Sequence, residues 1–490
     1  MLVEHIAARR SLLGAPAPAA QQIIKQLIKD ATPGVNVGSS QGVATDGTWF
    51  WTSGNDANQR QIRIFNAAWA EQTGAGSPHS TNLDFASHAQ VNGLICDRAN
   101  NKLYAGANNF PTTPAQGWVL EYDVNPATGA LTFVAARGAG AIWCEGCARG
   151  PDGKWWVHHH GGASIRRYNA DWSFDQELTP LLTPVKSNGY YQGGRFIDGL
   201  FYLNTHGNSG GGLDAYHWDS VQDRLSWTLV SLAVPTDCTQ GIDLDGSALY
   251  MAERTGNDHA TPNNVVRASY TQAPLPPLLI GKGAAQNEQA VNSLTMPAFA
   301  PPAGNNRCAI VFASWEQNAP AGPQSVASLT WGAGNSGTEI GTWFNPGNTV
   351  VHNGLTAYRF MDANFPASAQ DLTITLAQNT QVDGNDLHLA IAVFEGVNQS
   401  TPIEALIAEN DLSIDVTTLG VGRMLINLIT NGNSGTSPGN GQITVEDATL
   451  SEFVSRMSAK AALDAGSYTL GWIDADSVRP INVGFALLPA

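Results

Sequence analysis

Charge is scarce in this chain. Only 13% of its 490 residues are charged, and acids outnumber bases 41 to 25, which gives a formal net charge of −16. A nucleic-acid-binding face needs clustered Lys and Arg, so nucleic acid is not an expected partner. Long apolar runs are missing as well. No stretch of about 18 apolar residues occurs, so no membrane-inserted segment is expected. Cysteine is limited to five, an odd count too sparse for a disulfide framework. The opening MLVEHIAARRSLLGAPAPAA has Glu4 and Arg9-Arg10 where a signal peptide would have its apolar core. Synthesis without a secretory leader is the expectation.

Glycine (51) and tryptophan (14) are plentiful. With so little charge, they suit β architecture better than helical bundles. The chain also repeats. QGVATDGTWFW begins at Gln41, and related phrases begin at Asn92, Glu145, Gln192 and Gln240, 47 to 53 residues apart. Each phrase reads as two strands joined by a turn of Asp-Gly or Asn-Asn type, residues that accept positive φ. A third strand follows, ending near Asn66, Asp123, Asn169, His217 and Tyr270, and then a fourth, less regular one. Four antiparallel strands cannot hide both faces of their sheet alone, but five such sheets packed radially can. The glycine after each Gln, Asn or Glu lets backbones crowd near the axis.

The expected fold class is therefore all-β: a five-bladed β-propeller followed by an antiparallel β-sandwich or jelly-roll domain, with a short N-terminal helix. Residues 1–31 read as an anchoring or oligomerisation arm and helix. The helix rests on apolar Ile23, Ile24, Leu27 and Ile28 within 20–30. It suits either packing across the propeller edge or attachment. The propeller spans 32–272, with 32–38 expected to complete the last blade because APLPP after Tyr270 cannot pair in a sheet. A Pro-rich linker covers 273–278, and 279–490 carries eight or more strand-like runs with no copy of the propeller repeat. A second short helix is expected at 450–462.

The residues opening the inner strands are the first candidates for chemistry. Gln41, Asn92, Glu145, Gln192 and Gln240 would line or crown the axial channel, a hydrogen-bonding ring fit for sugars, water or a cation. The alternative role is structural, with each amide bonded to a neighbouring blade. Hydrolysis would need two carboxylates. Glu145 is the one acid in the ring and the one catalytic candidate, so no catalytic set is assigned. A metal reading would draw on Cys144, Cys147, His158 and His160, but this CxxC falls on an expected strand and no second CxxC follows. No metal and no cofactor are expected. Trp49, Trp51, Trp155, Trp156, Trp218 and Trp227 offer sugar-stacking faces, although packing between blades is their safer role.

Two resemblances follow from these motifs. The repeat of Gln/Asn/Glu-Gly, then Asp-Gly, then a strand ending in Tyr plus Asn or Asp, looks like the broad lactonase-type and YVTN-type propeller group. That group spans enzymes and inert scaffolds. Its lactonases use acidic and Asn metal ligands, whereas three of the five ring positions here are Gln. The second half, through SLTW (328–331), FEGVNQSTPI (394–403) and the closing YTLGWIDADSVRPINVGFALLPA, resembles an accessory β-sandwich of phage structural and secreted bacterial proteins. Together these imply a tailed-phage virion protein: a tail fibre, tail tip or head spike. It would attach to other virion proteins through its N-terminal arm, bind host surface polysaccharide and assemble as a homo-oligomer. The alternatives are a polysaccharide-degrading enzyme acting through Glu145 and a ligand-free decoration protein.

Overall fold

The computed structural model describes residues 21–31, 40–54, 60–160, 164–184, 191–205, 212–235, 241–246, 248–252, 265–288, 291–318, 325–345, 351–377, 386–432, 437–439, 441–450, 453–473 and 479–490. Five four-stranded antiparallel sheets make up the first half. Their inner strands are Ser40–Thr45, Gln90–Asp97, Cys144–Arg149, Tyr191–Ile197 and Ile242–Asp245. Each inner strand touches the next, and the fifth touches the first. Gly241 N–H donates to Gln41 C=O at 2.9 Å across that closure. This is a closed five-bladed propeller.

The glycines explain how five backbones fit at one axis. A Cβ on Gly93 would lie 2.6 Å from Glu145 O and 3.1 Å from Gln192 O, and one on Gly241 would lie 2.6 Å from Gly42 Cα. No real side chain tolerates such contacts, so the axis requires glycine there. The aromatics fill the space between blades. Trp51 is fully buried and donates its Nε1–H to Gly129 O of the next blade at 2.9 Å. Trp155, Trp156 and Trp227 are buried as well. A buried guanidinium joins blades three and four: Arg167 bonds Asp175 at 2.6 Å and grips both carboxylate oxygens of Asp223.

Ring closure corrects two expectations. Gln22–Ala31 is a strand rather than a helix, and it is the fourth strand of the last blade. It pairs antiparallel with Val265–Pro274, from Gln22 opposite Pro274 to Ala31 opposite Arg267. Residues 32–38, expected in that place, lie outside the described residues. Pro274 is tolerated because it ends its strand. A bulge falls at Lys25, and the Ile24 N–H turns to the buried Tyr202 hydroxyl at 2.9 Å.

Residues 278–487 form two copies of one module where the sequence suggested one domain. In the first copy a five-stranded sheet, led by Leu278–Asn287, faces a three-stranded sheet that includes Ser293–Phe299. In the second copy, Ile403–Glu409 and Ser413–Thr418 take the same places, and the strand order matches throughout. Leu294, Trp331 and Ile374 of the small sheet share one core with Val311 and Leu389 of the large sheet. The opposite face of that large sheet, with Ile310, Phe312 and Ala392, packs on Ile426, Leu428 and Phe485 of the second large sheet. The half thus stacks in four layers, with three, five, five and three strands. Val454–Ala462, expected as a helix, is an inner strand of the second large sheet.

The FEGVNQSTPI stretch is the join between the modules. Gly396 takes φ 70°, Val397 bridges Pro489, and Asn398 Oδ1 accepts the N–H groups of Ser400 and Thr401 at 2.9 Å each. Its sequence is thus explained by turn geometry. The propeller meets the first module through Arg224, which bonds Ala303 O at 2.8 Å and pairs with Glu395 at 3.0 Å.

Candidate functional site

The inner strands all run the same way about the axis, so residues that open them gather at one mouth. Gln41, Asn92, Glu145 and Gln192 are all buried there. Gln240 lies outside the described residues. Contacts concentrate on blades two and three. Asn92 Nδ2 donates to Cys144 O at 3.2 Å, and Asn108 Nδ2 donates to the same oxygen at 3.1 Å and reaches Glu145 Oε1 at 3.4 Å. His160 Nδ1 stands 3.4 Å from Glu145 Oε1. Among the described residues, neither Gln41 nor Gln192 bonds to Glu145. The four described members are therefore unequal, with contacts focused on Glu145.

Burial pushes the Glu145 carboxyl above the usual carboxylate range, and the adjacent His160 opposes that shift. Burial thus favours the neutral acid relative to an exposed carboxyl, while Asn108 and His160 bring nitrogen atoms to its oxygen. An aromatic corner adjoins it through His160. Phe110 meets Trp143 edge-on at 5.1 Å and His160 at 5.4 Å, while Trp143 and His160 are 5.8 Å apart. The corner is fixed locally, because His160 N–H donates to Trp143 O at 3.0 Å and Phe110 N–H to Asn108 Oδ1 at 2.9 Å. The buried Asn92 Oδ1, Gln192 Oε1 and Trp143 Nε1 have no hydrogen-bond partner among the described residues. Such groups are costly unless a ligand or water meets them.

The remaining candidates separate from this focus. Cys144 and Cys147 are buried in the core between blades, and burial pushes the Cys144 thiol up to about 12 and Cys147 well above its usual value. Both are held as neutral thiols. His158 pairs with Gly146 across the ladder and is fully buried, and desolvation pulls its imidazole down to about 3. Its Nε2 is 2.7 Å from where a Gly146 Cβ would sit, so the ring fills space that glycine vacates. Among the described residues no three His, Cys, Asp or Glu side chains gather so as to hold a metal ion.

Sequence reasoning missed Asn108, Phe110 and Trp143. Asn108 ends the second strand of blade two, and Phe110 follows in the loop after it. The available signal was position: a polar residue closing a second strand lies beside the residue that opens the inner one.

No family model matches the chain, and no curated protein matches it. Solved structures similar to it include exo-β-1,3-galactanase from Phanerochaete chrysosporium, 11% identical, covering 76% of this chain and 100% of that one at TM-score 0.33. A gluconolactonase from Xanthomonas campestris is 14% identical, covering 53% and 99% at TM-score 0.28. Virginiamycin B lyase from Staphylococcus aureus is 11% identical, covering 50% and 99% at TM-score 0.26. Scores this low carry no weight for fold or activity. The propeller rests on this chain's own strand pairing.

Proposed function

We propose that the propeller binds a glycan at the mouth where its inner strands begin. The carrying observation is the fixed aromatic corner of Phe110, Trp143 and His160, joined through His160 to the buried Glu145, beside amide oxygens that lack partners among the described residues. Aromatic faces pack against the C–H groups of sugars. Amide groups and the Glu145 carboxyl offer hydrogen-bond partners to sugar hydroxyl groups. The setting we assign is a virion surface, with the chain anchored to other virion proteins and assembled as a homo-oligomer. Support for that setting is the resemblance of the second half to phage accessory modules and the build of rigid β units in series.

The second reading is hydrolysis of the same glycan. It is favoured by Glu145, a buried acid of raised pKa, which is the character of a general acid. Hydrolysis also needs a second carboxylate, and among the described residues none contacts Glu145. Binding is therefore preferred.

A screen of the purified chain against bacterial surface polysaccharides, scoring retention and released reducing ends, tests both readings. Retention without release, weakened about ten-fold or more by Trp143→Ala, is the expected result. Release that disappears in Glu145→Gln would replace binding with hydrolysis. No retention by any polysaccharide would sink both readings. Purified phage particles that lack the protein would remove the virion setting alone.

A further inference from the structure

The opposite mouth of the propeller, where the inner strands end, holds a second site remote from the ring. A cavity of about 290 Å³ opens there, and Arg98, Arg149 and Arg195 line it, one each from blades two, three and four. In a chain with only 25 basic residues, three guanidinium groups around one cavity are a strong local enrichment.

Two of the three are committed by the fold. Arg195 pairs with Asp243 at 2.7 Å, and that buried carboxylate also accepts the N–H groups of Thr45 and Leu244 at 2.8 Å each. Arg98 donates to Thr45 O at 3.1 Å and pairs with Asp245 at 3.1 Å. Arg149 is different. It is exposed, its guanidinium lies 4.7 Å over the Trp155 ring, and it makes no ion pair among the described residues. Trp155 backs it from below, with Tyr104 4.3 Å from Trp155, so the charged group is held against an aromatic wall. Asp97 completes the lining and supplies an acceptor.

A guanidinium with no carboxylate partner among the described residues, a half-buried aromatic ring at Phe196 and a carboxylate acceptor at Asp97 share this small cavity. The cavity is near the lower end of the roughly 300–1,000 Å³ of small-molecule sites, which limits it to about one sugar ring. We propose that it binds a single acidic sugar unit, with the sugar carboxylate on Arg149, a hydroxyl donating to Asp97 and the ring's apolar side against the half-buried Phe196 that also lines the cavity. Arginine suits this role because its planar fork meets a carboxylate with two parallel hydrogen bonds. The site is independent of the Glu145 mouth, and its test does not depend on that reading.

The test is calorimetric titration of the full chain with glucuronate, glucose and inorganic sulfate, for the wild type and Arg149→Ala. Glucuronate is expected to bind in about the millimolar range, and glucose about ten-fold more weakly or not at all. Arg149→Ala is expected to weaken glucuronate about ten-fold without altering the melting temperature, since Arg149 is exposed. Equal binding of glucose, or unchanged glucuronate affinity in Arg149→Ala, overturns the proposal. Sulfate binding as tightly as glucuronate also overturns it, since the cavity would then be a general anion site. No glucuronate binding by the wild type does the same.

Discussion

Ring closure by Gln22–Ala31 leads to a test that distinguishes strand from helix within one segment. Ile24 is fully buried, whereas Ile28, four residues on, is 45% exposed. On a helix these two would share a face and count alike. On the bulged strand observed, they do not. Truncating a fully buried isoleucine costs about 2–5 kcal/mol through lost burial and the cavity left behind. Ile24→Ala should therefore lower the stability of the propeller by that amount, and Ile28→Ala by no more than about 0.5 kcal/mol. Tyr202→Phe adds an independent arm. It leaves the buried Ile24 N–H without its hydroxyl partner at 2.9 Å, which costs about 1–3 kcal/mol. Urea denaturation of the full chain, followed by tryptophan fluorescence, measures all three variants. Equal losses at Ile24 and Ile28, or no loss in Tyr202→Phe, would refute the closure.

Two further predictions concern buried polar groups. Arg167→Met removes the cation that joins Asp175 and Asp223 across two blades, while Lys154 still pairs with Asp175 at 2.9 Å and the part-exposed Asp223 keeps Gln176 and Trp218, so the propeller should lose about 1–3 kcal/mol in the same denaturation assay. His388 is fully buried where the two large sheets meet, 2.7 Å from Ser455 Oγ of the second module, and burial pulls its imidazole down to about 3. Its folded pKa is below the unfolded value, so the stability it permits is whole above about pH 6.5 and is lost as pH falls toward 3. Between pH 7 and pH 5 that is roughly 2 kcal/mol from this residue alone. His388→Gln should remove that share of the acid sensitivity, read from denaturation at the two pH values. An unchanged difference between them would refute this.

The second half is held together by a seam between its two large sheets. Its two large sheets bury Phe312 and Phe485 against each other, and Lys282, Asn345 and Asn353 cross the seam to Val445 O at 2.6 Å, Pro480 O at 2.8 Å and Arg479 O at 3.0 Å. Apolar burial sets the strength of such a seam and these polar contacts set its register. The two modules therefore act as one block. The propeller meets that block at Arg224 and Glu395 on the first module and at Lys25 and Asp464 on the second.

The sequence by itself determined the fivefold repeat, and the reason is local. Turn residues at fixed offsets and a glycine after each inner-strand opener are demanded by backbone geometry, as at Asp46-Gly47, where Gly47 has φ 92°. It also placed Glu145 at the axis, because equivalent positions in a radial repeat must converge. Tertiary structure alone decided the rest. Ile23, Ile24, Leu27 and Ile28 fit a helical stripe, but Val265–Pro274, over 230 residues away, supplied the unpaired strand edge that made them a strand. Val454–Ala462 contains Met, Lys and several Ala, all good helix formers, yet pairing on both sides within a sheet outweighed that propensity. The two modules share strand order rather than residues, since a sheet core asks only for apolar side chains of adequate volume. The Glu145 site was only half legible for a similar reason. Its partners Asn108, Phe110, Trp143 and His160 come from two blades, and no local pattern records which loop ends meet when the ring closes.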